Sequence, residues 1–239
     1  MSNRSYKQYC GLAYALDIVG ERWTLLIVRE LIPGPRRFTD LLDGLPGIST
    51  NLLSERLKRL EQQGLLCRRV LPPPAGSTVY ELTSLGQALQ KSLIELGKWG
   101  SQFVPAAAED ASLLNVGSYA LTLKTFFRPE HAQGVDETYE LRIDNEVLQV
   151  QINADQIQVQ QGEALKADVV FRTDMPTYLG LLQGKIRPEE AISRGIIQIW
   201  GNGDQDARIE DNRIDDDRIE DNLNALRRFL KICGLPGSH

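Results

Sequence analysis

The sequence predicts a mainly α first half followed by an α+β second half. Three observations lead there. From Tyr9 to Phe103 apolar residues recur at helical spacing, interrupted by one pair of strand-like runs. From Tyr139 the apolar period falls to two, the signature of half-buried antiparallel strands, before helical spacing returns. Between them Pro105-Ala106-Ala107-Ala108-Glu109-Asp110 reads as a linker. The expected division is a first domain over 1–104, a linker over 105–116 and a second domain over 117–239.

The elements of the first half follow in order. Tyr9, Leu12, Leu16 and Val19 mark a helix that Gly20 interrupts; Trp23 to Leu31 resumes a dense apolar pattern. Ile32-Pro33-Gly34-Pro35 stops it. Phe38, Leu41, Leu42 and Leu45 make a short amphipathic helix over 38–43, and Gly44 to Gly47 a turn around Pro46. Ser49 is placed to cap a helix over 49–63 that buries Leu53, Leu57 and Leu60 and ends at Gly64. Leu65 to Leu71 and Thr78 to Leu82 read as strands joined by a Pro-rich connection. Ser84 with Gln87 fits a capping box opening a helix whose stripe is Leu85, Leu89, Leu93, Leu96, Trp99 or Gly100, and Phe103.

In the second half, 118–127 is expected to be helical. Strands follow: Tyr139, Leu141 and Ile143 alternate with Glu140, Arg142 and Asp144; Leu148, Val150 and Ile152 with Gln149 and Gln151; Ile157 and Val159 with Gln156, Gln158 and Gln160. Turns fall at Asp144-Asn145 and Asn153-Ala154-Asp155. A strand over 169–172, helices over 175–182 and 188–194, a strand over 196–200 and a final helix marked by Leu223, Leu226, Leu230 and Cys233 complete the chain. The pentads beginning at Arg208, Arg213 and Arg218 repeat three times. Five residues advance a helix by about 140°, so Ile209, Ile214 and Ile219 share no helical face. The stretch 204–222 is read as an acidic loop; it lacks the glycine and the terminal glutamate spacing of a calcium-binding hand.

Composition bounds the function. The chain has 239 residues, 42% hydrophobic and 25% charged, which excludes collagen-like, disordered and disulfide-scaffold classes. No apolar run approaches the roughly 18 residues of a membrane span, and no signal-peptide core fits around Asp17, Glu21 and Arg22. Three scattered cysteines, Cys10, Cys67 and Cys233, suggest a reducing cytoplasm without disulfides. The net charge of −5 conceals an asymmetry: residues 1–105 carry +4 and the remainder −9. A polyanion suits the first half and not the second.

Helix, turn, helix and two strands with a basic arm are the order of a winged helix-turn-helix. With Leu53, Leu57 and Leu60 inward, Asn51, Ser54, Glu55, Lys58 and Gln62 point outward. Asn51 suits adenine, Lys58 guanine or phosphate, Glu55 cytosine and Ser54 several base edges. Ser49 and Thr50 stand at the helix N-terminus, where backbone N–H groups favour phosphate. Arg36, Arg37, Arg59, Arg68 and Arg69 supply positive charge for the backbone of double-stranded DNA. The plainer reading of each feature alone is a solvated helix face or strand edge.

Tyr9-Cys10-Gly11-Leu12, Ile18-Val19-Gly20-Glu21-Arg22-Trp23-Thr24-Leu25-Leu26-Ile27, Arg29-Glu30-Leu31, Gly34-Pro35-Arg36-Arg37-Phe38, Leu45-Pro46-Gly47-Ile48-Ser49, Leu57-Lys58-Arg59-Leu60-Glu61 and Tyr80-Glu81-Leu82-Thr83 resemble the HxlR-type regulators, relatives of the MarR group. The likeness covers about 6–103. It implies a homodimeric winged-helix transcription factor joined through the first and last helices of the domain. It includes Cys10, at a place where some members sense oxidants or electrophiles; the alternative is a small residue at the dimer seam.

From about 137 onward the chain is similar to sterol carrier protein 2-like domains. The likeness lies in Ala167-Asp168-Val169-Val170-Phe171-Arg172-Thr173-Asp174, Leu181-Leu182-Gln183-Gly184-Lys185-Ile186, Pro188-Glu189-Glu190-Ala191-Ile192, Gly195 and Ile197-Gln198-Ile199-Trp200-Gly201. It implies a curved sheet with helices over one face and an apolar cavity between, lined by Phe171, Tyr178, Leu179, Leu182, Ile192, Ile197, Ile199 and Trp200. The alternative is an ordinary filled core, which a domain this small needs in order to fold.

No catalytic constellation emerges. His131 and His239 are the only histidines, no Cys/His spacing suits zinc, and no glycine motif precedes a helix to cradle phosphate. No cofactor and no metal are expected. The expectation is therefore a regulator, not an enzyme: a homodimer bound to double-stranded DNA, with an apolar small-molecule effector in the second domain and no membrane. A switch worked through Cys10, and a lipid carrier without DNA function, are the alternatives.

Overall fold

The computed structural model describes residues 5–72, 76–104, 115–201 and 216–234. The chain divides into two compact units, 1–102 with 115–121, and 103–114 with 122–239.

The first unit opens with α1 (Gly11–Val19) and α2 (Thr24–Leu31). Gly20 closes α1 through its N–H to Leu16 O, and Trp23, in left-handed backbone at φ 77°, turns the chain into α2. β1 (Arg36–Arg37), which the sequence reading did not resolve, leads into α3 (Phe38–Asp43). The turn 44–49 then delivers α4 (Thr50–Gln62), capped by the Ser49 hydroxyl, which accepts from Leu52 N at 3.3 Å. β2 (Leu66–Val70) and β3 (Thr78–Leu82) form the wing, and β1 adds to the far side of β3. Ile27, Val28, Leu41, Leu45, Leu53, Leu57 and Leu60 are buried in one core, as their helical spacing requires.

The single helix expected from Ser84 is broken into α5 (Ser84–Gln87) and α6 (Gln90–Ser101). Thr83, not Ser84, is the cap. Its hydroxyl accepts from Gly86 N at 3.2 Å and donates to Gly64 O at 2.6 Å, tying the wing to the helix that follows. Gly86 sits so close that a Cβ there would stand 2.0 Å from Leu65 O.

Residues 105–114, the body of the expected linker, lie outside the described residues. Its last two residues, Asn115 and Val116, begin α7 (Val116–Phe126). Asn115 accepts from Ser118 N at 2.8 Å and donates to Gly44 O, and Val116 is fully buried. The stretch 115–121 thus packs within the first unit.

The second unit continues through a 3-10 turn (Pro129–His131) into β4 (Asp136–Ile143), β5 (Glu146–Asn153), β6 (Gln156–Gln161) and β7 (Val169–Thr173). Then come α8 (Met175–Leu182), α9 (Pro188–Ser193), β8 (Ile197–Gly201) and α10 (Asp216–Cys233). The sheet order is β6-β5-β4-β7-β8, with only β4 and β7 parallel. Asp144 and Ala154 take φ 51° in the two hairpin turns. The expected alternation places Tyr139, Leu141 and Ile143 beside Leu148, Val150 and Ile152 in the core, where Phe229 packs against Tyr139 and Phe171 at ring distances of 5.0 and 5.4 Å.

Two expectations are corrected. Glu140, read as outward, is 3% exposed: Arg142 Nε and Ala164 N bond its two oxygens at 2.7 and 2.8 Å, which supplies the partners a buried carboxylate needs. The acidic stretch 204–222 does not remain a loop to its end, because α10 begins at Asp216 and takes in the third pentad. The first pentad and most of the second lie outside the described residues.

Candidate nucleic-acid interface

The apolar spacing of α4 decides what it shows to solvent. Leu53, Leu57 and Leu60 are at most 1% exposed, so Thr50, Asn51, Ser54, Glu55 and Lys58 are exposed on the opposite side. All but Lys58 lie on the N-terminal half of the helix, the part that meets base edges in helix-turn-helix docking. Ser49 is exposed too, although its hydroxyl is engaged in the cap.

The arginines divide into different roles. Arg37 and Lys58 are exposed, with no carboxylate within ion-pair distance among the described residues. Arg68 pairs with Glu61 at 3.0 Å and Arg69 with Glu81 at 3.0 Å, so the exposed wing arginines are held in place by acids. Such surface pairs are worth about 0–1 kcal/mol and can be exchanged for phosphate. Arg59 faces the protein: it binds Glu21 and donates to Asp17 O at 2.7 Å. Arg56, which the sequence reading passed over, grips the same corner through Glu21 Oε2 at 2.6 Å and also holds Glu55 at 3.0 Å. The two arginines bolt α4 to the end of α1, and Glu55 enters any base contact already engaged.

Arg36 corrects the expectation that it meets the DNA backbone. It is 5% exposed, on the inner side of β1, and its Nε is buried without a hydrogen-bond partner. It lies close enough to Glu30 to favour that residue's charge. In an Arg-Arg strand the two side chains point to opposite faces, and the sequence alone does not say which turns inward.

Glu30 is the buried acid beneath this surface. It is 0% exposed, bonded by Arg29 at 2.6 Å, and its Oε2 has no hydrogen-bond partner. Burial raises its pKa against the pull of Arg29 and Arg36. Gly44 and Gly117 make room for it: a Cβ on Gly44 would stand 2.8 Å from Oε2. The motif Arg29-Glu30-Leu31 contained this acid, but nothing in its spacing marked it as buried.

The N-terminal segment and α1 expose Tyr6, Tyr9, Leu12, Tyr14 and Leu16, and α6 exposes Leu96 and Trp99. So much apolar surface is unusual for a monomer. Cys10 is exposed at the N-cap of α1. The N–H groups of Ala13 and Leu12 lower its pKa, though without capping geometry. Burial raises Cys67, helped by Glu81, and raises Cys233 strongly.

In the second unit, Phe171, Tyr178 and Ile197 line one apolar cavity with residues of β4 and α10. Its volume is about 10 Å³, room for roughly one water molecule. Phe229 and Leu230 fill the space an apolar ligand would need. Leu179, Leu182, Ile192, Ile199 and Trp200 do not line it. A larger recess of about 460 Å³ is of mixed character, bounded by Glu137, Asp168, Asp221 and Arg228 together with Val169 and Ala225. No group of acids, cysteines and histidines among the described residues suits a metal ion, and no helix among them is long and apolar enough to cross a membrane.

Against known proteins, residues 18–108 match the HxlR-like helix-turn-helix family and residues 123–205 the SCP-2 sterol transfer family. The HTH-type transcriptional regulator sll1512 of Synechocystis sp. is 38% identical over 105 residues, covering 44% of this chain and 78% of that one. The HTH-type transcriptional regulator YodB of Bacillus subtilis is 42% identical over 89 residues, covering 37% and 80%. The solved reduced form of YodB shares 38% identity, with a TM-score of 0.37 over 42% of this chain and 99% of that one.

Proposed function

We propose, on the premise that this chain belongs to the HxlR-like helix-turn-helix family of transcriptional regulators, that it reads a specific sequence in double-stranded DNA as a homodimer. The observation that supports this is the outer side of α4, where Asn51, Ser54 and Lys58 stand exposed opposite three buried leucines. Asn51 suits bidentate contact with adenine, and Lys58 suits guanine or phosphate. Thr50, Arg37, Arg68 and Arg69 would fix the register on phosphates. The exposed side chains of α1 and α6 would meet in the dimer and set two α4 helices about 34 Å apart, one turn of the duplex.

The test is selection from a random duplex library followed by titration. A preferred duplex is expected. Asn51→Ala should cost about 1–3 kcal/mol and relax preference at one position, whereas Lys58→Ala should weaken all duplexes and reduce the salt slope by about one. Equal affinity for every duplex would overturn the reading.

The second unit is proposed to take an apolar effector that displaces Phe229 and Leu230 of α10. A coupling of about 1–3 kcal/mol would change operator affinity roughly 5- to 150-fold. Native mass spectrometry of the purified protein checks it, by the presence or absence of a retained lipid-like mass. A second reading, supported by the exposed thiol over the first turn of α1, is an oxidant response through Cys10. Cys10→Ser would abolish such a response and leave basal DNA binding unchanged.

A further inference from the structure

The corner between α1 and α2, residues 20–23, treats its three side chains differently. Glu21 is taken by α4, where Arg56 and Arg59 hold its two oxygens. Trp23 is half-buried, and a Cβ on Gly47, in the turn before α4, would stand 3.8 Å from its indole. Arg22 is exposed, with no carboxylate within ion-pair distance among the described residues.

The Arg22 side chain is nevertheless held in place. Its guanidinium carbon lies 5.3 Å from the centre of the Trp23 ring. A planar cation over an indole gains from the ring's negative face and keeps its N–H fork oriented. The backbone is held too, because Arg56 Nε donates to Arg22 O at 3.3 Å. Trp23 keeps left-handed backbone at φ 77° to make this corner, a strained conformation for a residue with a side chain.

The turn of α4 says where the corner stands. At about 100° per residue, Leu53, Leu57 and Leu60 centre the inner side, and Asn51, Glu55 and Lys58 the outer. Arg56 and Arg59 lie between the two, on the flank next to Glu55, which Arg56 Nη1 also holds at 3.0 Å. The corner they grip therefore stands on that flank. A helix with its side chains is about 10–12 Å across and the major groove about 12 Å wide. A duplex that admits the outer side of α4 brings a phosphate strand along each flank.

We propose that Arg22 is a phosphate clamp: its guanidinium takes one phosphate of the strand that runs beside α4 and fixes the register from which Asn51 and Lys58 meet base edges. Charge and shape select the ligand. A planar fork with two parallel N–H groups matches two phosphate oxygens. Stacked in advance on Trp23, it loses little side-chain freedom on binding. The inference rests on the reading that α4 enters DNA.

The test uses the full chain and a duplex that the wild type binds. Arg22→Gln removes the charge, and because Arg22 is exposed and carries no ion pair, the thermal midpoint should stay unchanged. Affinity should fall roughly tenfold and the salt slope by about one, with base preference unaltered at every position. Arg22→Lys should restore the slope. Duplexes with a single neutral methylphosphonate, moved along each strand, then locate the contact. At one phosphate the substitution should weaken the wild type and leave Arg22→Gln unaffected. A wild-type salt slope in Arg22→Gln, or the same methylphosphonate profile in both proteins, would overturn this inference alone. A wild type that binds no duplex would overturn it together with the DNA reading.

Discussion

The Cα of Glu30 occupies space that any side chain at position 117 would need: a Cβ on Gly117 would fall 2.8 Å from it and 2.6 Å from Oε1. One of those contacts is with backbone, which cannot swing aside. Gly117→Ala is therefore expected to destabilise the first unit by about 1–3 kcal/mol, the usual cost of overpacking. Denaturant unfolding of the full chain checks it; an unchanged midpoint would show that α7 does not depend on this approach.

Glu30 sets a pH dependence whose sign follows from burial. Its pKa is raised in the fold, so the native state holds a proton that the unfolded chain has released. Stability from this group is full below the unfolded carboxylate range, near pH 4.3, and declines as pH rises through the raised folded value. Glu30→Gln should flatten that decline. Thermal midpoints of both proteins between pH 4 and 7 decide it, and parallel curves would refute it.

The three thiols should separate in reactivity. Cys10 is exposed with a lowered pKa, and Cys233 is 1% exposed with a raised one. Iodoacetamide is expected to label Cys10 first, with half-maximal rate below the ordinary thiol value of about 8.5. Cys233 should react only on denaturation. Peptide mass mapping against pH reports the order directly.

Phe229 closes the second unit's core. It packs tilted against Tyr139 and edge-on against Phe171 and borders the cavity of about 10 Å³. Phe229→Ala should cost about 3–5 kcal/mol and leave a larger apolar hole. An apolar fluorescent probe should then bind the variant more tightly than the wild type, as a fluorescence titration would register. Equal binding would mean that the space collapses.

Much of this architecture could be read from spacing. The three leucines of α4 announced their inward side, and the expected helix starts at Met175 and Pro188 are ones that the structure keeps. What spacing could not resolve was decided by single tertiary contacts. Gly86 abuts Leu65 O within α5, and the helix that the apolar stripe made continuous is interrupted at Ala88–Leu89. Arg36 and Arg59 differ from Arg37 and Lys58 only in what lies behind them: the interior near Glu30 for one, Glu21 and Asp17 for the other. The cavity residues were legible as apolar, but α10 filling the space was not, because that depends on where a distant helix returns.

Asn115 and Gly117 also bear on where the first unit can be trimmed. A fragment ending at residue 104, the natural cut on sequence grounds, would strip the cap from Gly44 O and uncover the carboxylate of Glu30. The smallest piece retaining its own interior extends through residue 121, ten residues and more beyond the reach of its family likeness.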